Sequence, residues 1–268
     1  MLKDITLGQY FPGTTFVHRL DPRTKLLCVL VYITALLVTK SYISYGILFL
    51  LLAVSVAVSK IPPSAMLKGL KPLTFIIVFT AILNLFYNHD GTELVSFWIF
   101  TITTTGVKTA CFMVARIMML ISGTFLLTYT TTPMALTDGM EMLFGPLKKI
   151  HVPVHELSMM MSIALRFIPT LIEEADKIMS AQKARGADFE TGKLTDRAKA
   201  LLPLLVPLFV SAFRRADELA IAMESRCYHG GEGRTRMKKL KMTAADICTL
   251  IGFVLLLAGI IVLARFGL

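Results

Sequence analysis

Arg185 and Arg226 end two similar segments, Ala181-Gln182-Lys183-Ala184-Arg185-Gly186 and Ala222-Met223-Glu224-Ser225-Arg226-Cys227. In each, alanine stands four residues before the arginine, a small residue precedes it and another follows. A guanidinium is a rigid fork of five donors that fits a carboxylate or a set of carbonyls. Small neighbours let a partner's backbone come close to that fork. The plainer reading is a cation at a helix C-terminus, where it meets the last carbonyls and the macrodipole for about 0.3–1 kcal/mol. Two arginines in the same setting, each continuing the apolar stripe of its helix, favour recognition of two similar sockets on a dimeric partner.

Other reactive residues form no comparable set. His151 and His155 are four apart with Pro153 between them and no third ligand in view, so no metal site is expected. The four cysteines (Cys28, Cys111, Cys227, Cys248) have neither metal-ligand nor disulfide-framework spacing. There is no Gly-x4-Gly-Lys-Ser/Thr phosphate loop and no clustered acid–base set at a span end. No catalytic residue and no cofactor are expected, and the chain reads as a non-enzyme. Arg214, Asp217 and Glu218 have the spacing of helix-surface ion pairs.

The elements that must carry the two arginines lie between residues 129 and 243. Steps of three and four predict three helices there: 134–150, interrupted at Gly145-Pro146; 153 to 184–186; and 195–227, with Thr195 or Asp196 as its cap. Leu171, Ala175, Ile178, Gln182 and Arg185 share one face of the second helix. Leu205, Leu208, Ala212, Ala216, Leu219, Met223 and Arg226 share one face of the third. Both are apolar nearly all round in their first halves and charged around a narrow stripe in their second. One end suits a membrane and the other water, which is the form of a strut.

The rest of the chain is lipid-soluble. Hydrophobic residues make up 55% of the 268, above the level of soluble domains. They come as long runs at 26–39, 43–59, 73–87, 107–128 and 244–264, giving about five expected spans. The first is short and reaches across only if Lys25 and Lys40 snorkel. Asp21-Pro22 predicts a helix start, Asn88-His89-Asp90-Gly91 a turn, and 93–105 a short strand or hairpin. The fold class is an all-α membrane protein, divided as 1–128 (four spans), 129–243 (coupling helices) and 244–268 (last span).

The net charge of +10 follows from topology. With the N-terminus inside, 24 of the 28 Lys and Arg fall in cytoplasmic segments. This predicts a multi-pass protein of the cell membrane, N-terminus cytoplasmic and C-terminus outside, and removes nucleic acid as a partner. Arg116, the one strongly ionisable residue well inside a span, either snorkels or engages a neighbouring helix. A self-sufficient secondary transporter usually carries intramembrane acids or broken spans, and a membrane-interface enzyme needs a clustered site. Those are the two competing readings.

Taken together, these features resemble the transmembrane T component of energy-coupling factor (ECF) transporters, the vitamin-uptake branch of ATP-binding-cassette importers. Ala184-Arg185-Gly186 matches that family's Ala-Arg-Gly signature. Ser225-Arg226-Cys227 stands at its second signature, with different residues on either side of the arginine. His18-Arg19-Leu20-Asp21-Pro22-Arg23-Thr24-Lys25 is similar to its N-terminal motif and points to the shared-module type. Leu165-Arg166-Phe167-Ile168-Pro169-Thr170 and Arg214-Arg215-Ala216-Asp217 are similar to its coupling helices. The resemblance implies that Ala184, Arg185, Gly186, Ser225, Arg226 and Cys227 bind two cytoplasmic ATPase subunits. It also implies that the apolar helix halves carry a membrane-embedded substrate-binding S subunit, with Met159, Met160, Met161, Leu165, Leu205 and Leu208 as contact candidates. Methionine is flexible and suits a surface that accepts several partners.

Overall fold

The structure is a computed structural model that describes residues 10–39, 41–87, 93–97, 100–187, 189, 194–230 and 240–265. Its helices are α1 (Phe16–Arg19), α2 (Pro22–Val38), α3 (Tyr42–Ser59), α4 (Pro63–Leu70), α5 (Thr74–Tyr87), α6 (Thr104–Thr130), α7 (Pro133–Leu143), α8 (Val154–Ala184), α9 (Leu194–Glu224) and α10 (Ala244–Arg265). A short hairpin, β1 (Glu93–Phe97) and β2 (Phe100–Thr103), stands where alternation predicted one, with Phe97 opposite Phe100. The expected turn at Asn88-His89-Asp90-Gly91 lies outside the described residues. The chain is an all-α membrane protein, and this hairpin is its only β-structure among the described residues.

The described residues form two compact units, 10–139 with 240–265, and 140–230. The first is a bundle. Four of its helical segments are long and apolar enough to cross a membrane: Tyr42–Ser59, Pro63–Tyr87 (α4 and α5 with the turn between them), Thr104–Thr130 and Ala244–Arg265. Large apolar side chains point out of them; Leu50, Phe75 and Leu255 are all more than three-fifths exposed. A soluble protein buries such residues, and here hydrocarbon is the solvent.

α2 is the interior helix. Tyr32, Ala35 and Leu36 pack against Tyr45 and Leu48 of α3, Met119 of α6 and Ile260 of α10. Gly123 on α6 makes room for this packing, because a Cβ there would fall 2.7 Å from the Tyr32 ring. Asp21 caps α2 by accepting from the Arg23 amide, with Pro22 at the first helical position, as the sequence predicted. At 17 residues α2 spans roughly 26 Å, short of a hydrocarbon core of about 30 Å.

Snorkelling at Lys25 does not make up that difference. Lys25 is 6% exposed, and its Nζ donates to the carbonyls of His18 and Thr130 and to the Thr131 hydroxyl. At the other end α2 stops inside the bundle, because α6 supplies a cap. Arg116 donates from Nη2 to the Thr39 carbonyl (3.1 Å) and from Nε to the Tyr45 hydroxyl (2.7 Å). The intramembrane arginine therefore engages neighbouring helices. It satisfies a carbonyl at the negative end of α2, where lipid offers no donor.

The second unit holds α8 and α9, both 31 residues long. The break expected at Gly145-Pro146 is present: α7 ends at Leu143 and a tight 3-10 segment, Gly145–Ile150, follows. α9 begins at Leu194, so Thr195 and Asp196 lie in its first turn and neither is the residue before it.

Candidate functional site

α8 and α9 meet through their middles. Ile168, Leu171, Ile172 and Ala175 on one helix, with Leu205, Leu208, Phe209 and Ala212 on the other, line an apolar cleft within this pair. A polar tie sits beside it. Arg215 Nη2 donates to Glu174 Oε2 at 2.7 Å, and the Ser211 hydroxyl donates to the same carboxylate. The Ser211 hydrogen bond, then the Arg215 guanidinium, hold the Glu174 carboxyl below the ordinary glutamate range.

The tie fixes the direction of both arginines. Arg185 follows Glu174 by eleven residues, and Arg226 follows Arg215 by eleven. Eleven residues make just over three full turns, so each arginine returns to the face that carries its half of the tie, roughly 16 Å further along.

The two ends then fold alike. At the end of α8 the Ala187 amide donates to the Gln182 carbonyl and the Gly186 amide to Lys183, with Gly186 at φ +88°. At the end of α9 the Tyr228 amide donates to Met223 and the Cys227 amide to Glu224, with Cys227 at φ +55°. Both are Schellman motifs, and both place the arginine at the C-cap. The departure of Ser225-Arg226-Cys227 from Ala-Arg-Gly therefore leaves the backbone unchanged. Cys227 takes the left-handed conformation that glycine takes more readily. No atom lies within 4 Å of a Cβ built on Gly186, so that glycine is there for its dihedral angle and not for space.

Ala184, Arg185, Gly186, Ser225, Arg226 and Cys227 are all exposed. Neither guanidinium has a hydrogen-bond or ion-pair partner among the described residues. Two full sets of donors thus face outward from rigid, matched caps.

Of the other expected contacts, Met160 and Met161 are about half exposed, while Met159 and Leu165 are partly buried. Leu205 is exposed and Leu208 lies in the cleft facing α8. Of the expected α9 face, Leu208, Ala212, Leu219 and Met223 are partly buried, while Leu205, Ala216 and Arg226 are exposed. Leu204 is buried at 6% exposure and Arg215 is partly buried. Arg214 pairs with Glu218 as its spacing predicted, fully at the surface. The Glu174–Ser211–Arg215 tie was missed; its signal was the shared eleven-residue spacing to the arginines. His155 bonds Glu141 at 2.9 Å through Nδ1, and His151 is exposed at the end of the 3-10 segment.

The family described as cobalt transport protein, CbiQ, matches residues 13–237, a stretch that includes both capped arginines. The energy-coupling factor transporter transmembrane protein EcfT of Thermosediminibacter oceani is 53% identical over 266 residues, 99% of each chain. The protein of that name from Ruminiclostridium cellulolyticum is 53% identical over 247 residues, 92% of each chain. That of Bacillus subtilis is 48% identical over 258 residues, 96% of this chain and 97% of its own. The chain belongs to this family. The CbiQ/EcfT family consists of transmembrane transporter components, and the apolar helices of the bundle agree with that placement.

Proposed function

We propose that the chain couples ATP hydrolysis by two cytoplasmic ATPase subunits to movement of a membrane-embedded S subunit that binds a vitamin or other micronutrient. One observation carries the reading: two 31-residue helices end in the same cap, each presenting an exposed arginine with no partner among the described residues. Each arginine would enter a groove on one ATPase and meet carboxylate or carbonyl oxygens there. Closure of the ATPases would be passed through α8 and α9, with the Glu174–Arg215 tie keeping the pair from slipping. The exposed methionines Met160 and Met161, with Met159, Leu165, Leu205 and Leu208, would give the S subunit an adaptable apolar seat. In this reading residues 129–243 are cytoplasmic or interfacial, the N-terminus is inside and the C-terminus outside. Hydrolysis belongs to the partners, since the chain has no phosphate loop.

The test is uptake and ATPase co-purification for Arg185→Ala, Arg226→Ala, the double variant and both lysine variants. Truncating one side of a buried charged contact costs about 2–5 kcal/mol. Either single change weakens the complex, while the second anchor holds the site at high effective concentration. The double change separates the ATPases or uncouples them. Lysine rescues poorly, because an ammonium lacks the planar fork. Normal uptake by the double alanine variant with both ATPases bound overturns the proposal.

A further inference from the structure

We propose that the membrane bundle holds one phospholipid, with an acyl chain in a slot between α1, α2, α3, α6 and α10 and an anionic headgroup at Arg19. The slot is a cavity of about 220 Å³ that opens to the outside. It follows α2 from Lys25 to Tyr32 and α3 from Leu51 to Val58, two helical turns or roughly 10 Å. Phe16 and Leu20 of α1 lie along it at the Lys25 end, and Phe253 of α10 also lines it.

The polar groups on its walls exclude water. The Ser55, Thr130 and Thr249 hydroxyls each donate to a carbonyl of their own helix. All three N–H donors of Lys25 are taken by His18, Thr130 and Thr131. A water in the slot would find almost nothing to bond, and ordered water needs about three partners. An empty slot would forfeit dispersion contacts along its whole lining. Since α3, α6 and α10 are long and apolar enough to cross the membrane, the medium at the opening is hydrocarbon, and a lipid tail fills the slot without desolvating anything.

The charge near the opening selects the headgroup. Lys25 is saturated and offers an anion nothing. Arg23 is spent on Asp21 and on the Leu240 carbonyl. Both nitrogens of His18 are bonded, to Thr15 and to the Phe11 carbonyl. Arg19, beside Leu20 in the chain, is exposed and has no partner among the described residues. An apolar slot with a cation beside it that is free among the described residues is complementary to an anionic amphiphile, and in a bilayer that is a phospholipid.

Native mass spectrometry of the full chain, taken from vesicles of mixed phosphatidylglycerol and phosphatidylcholine and mildly delipidated, counts what stays bound. The expected result is one phosphatidylglycerol per chain. Val54 lines the slot and is 52% exposed at its rim. Val54→Trp turns an indole into the slot and lowers retention of either lipid by about tenfold or more, the factor that goes with losing a few buried methylenes. Arg19→Gln, a surface change that leaves the fold alone, keeps a lipid but loses about fivefold of the preference for phosphatidylglycerol. Equal retention by wild type and Val54→Trp overturns the slot. Unchanged headgroup preference in Arg19→Gln overturns the role of Arg19. A protein that co-purifies in place of lipid and is lost in Val54→Trp overturns the choice of occupant.

Discussion

The bundle and the α8–α9 pair treat their polar groups in opposite ways. In the bundle those of Asp246, Lys25 and Arg116 are consumed inside the chain. Asp246 is 2% exposed and accepts from the Asp21 amide at 2.7 Å and from the Thr243 amide and hydroxyl at 2.8 and 2.6 Å. Lys25 has used every donor it has, and Arg116 caps a helix. In the pair, Arg185 and Arg226 end on exposed caps and have no partner among the described residues. Lipid leaves an orphaned polar group no water to fall back on, so the bundle must close its own ledger. The docking role proposed for the two caps needs the opposite, donors left open at the surface.

Truncation at the two kinds of position sharpens this contrast. Asp246→Ala takes the acceptor from three donors, the buried Asp21 amide among them, and is expected to cost about 3 kcal/mol or more of stability in detergent. Arg185→Ala in the same unfolding assay should change stability by less than about 0.5 kcal/mol, as surface changes do. If Arg185→Ala destabilised the isolated chain as much as Asp246→Ala, the arginine would be structural and the contrast would fail.

Arg116→Met is next. It leaves the Thr39 carbonyl and the Tyr45 hydroxyl without a donor, at about 2–3 kcal/mol. Hydrogen exchange should then report opening at the end of α2 before the rest of the bundle. Unaltered protection there would mean that another group satisfies the cap.

The caps themselves give smaller, opposite effects. Gly186→Ala puts a Cβ into a left-handed position and should lose about 1 kcal/mol, whereas Cys227→Gly should gain about the same. Thermal melting of the two variants checks both signs. A Cys227→Gly protein should also keep whatever docking Arg226 supports, since the backbone is unchanged.

The smallest effect is a pH dependence at the helix tie. The Glu174 carboxyl is held below its ordinary value, so its folded pKa lies under the unfolded one. Its contribution is complete above about pH 4.3, the unpaired glutamate value, and fades as pH falls through the depressed folded value. Both partners are partly exposed, so the pair is worth under about 1 kcal/mol. The stability difference between wild type and Glu174→Gln should be flat at neutral pH and shrink in acid. A difference that grew in acid would reverse the sign of the argument.

Much of this was readable from residue order. Asp21-Pro22 announced a capped start, alternation announced the hairpin, and small–Arg–small announced the helix ends. Most of the α9 face was read in phase: Leu208, Ala212, Leu219 and Met223 are partly buried, while Leu205, Ala216 and Arg226 are exposed. The first half of α9 is apolar nearly all round, so periodicity alone does not separate Leu204, which is buried, from Leu205. The end of α2 and the partners of Asp246 were hidden for another reason: both depend on residues far away in the chain, at Arg116 and Asp21. The Lys25 reading failed because a lysine at the edge of a run suggests water, while here three buried acceptors were waiting for it.

The turn at Asp21-Pro22-Arg23 has a mechanical consequence. A Cβ on Gly139 would lie 3.0 Å from Pro22 Cβ, and the Leu240 carbonyl accepts from Arg23 Nη2 at 3.1 Å. Two stretches of chain about a hundred residues apart are therefore moored to the same two neighbouring residues. A single turn, stiffened by a proline ring and backed by a buried carboxylate, serves as a hitching post for both, so loosening it frees both at once.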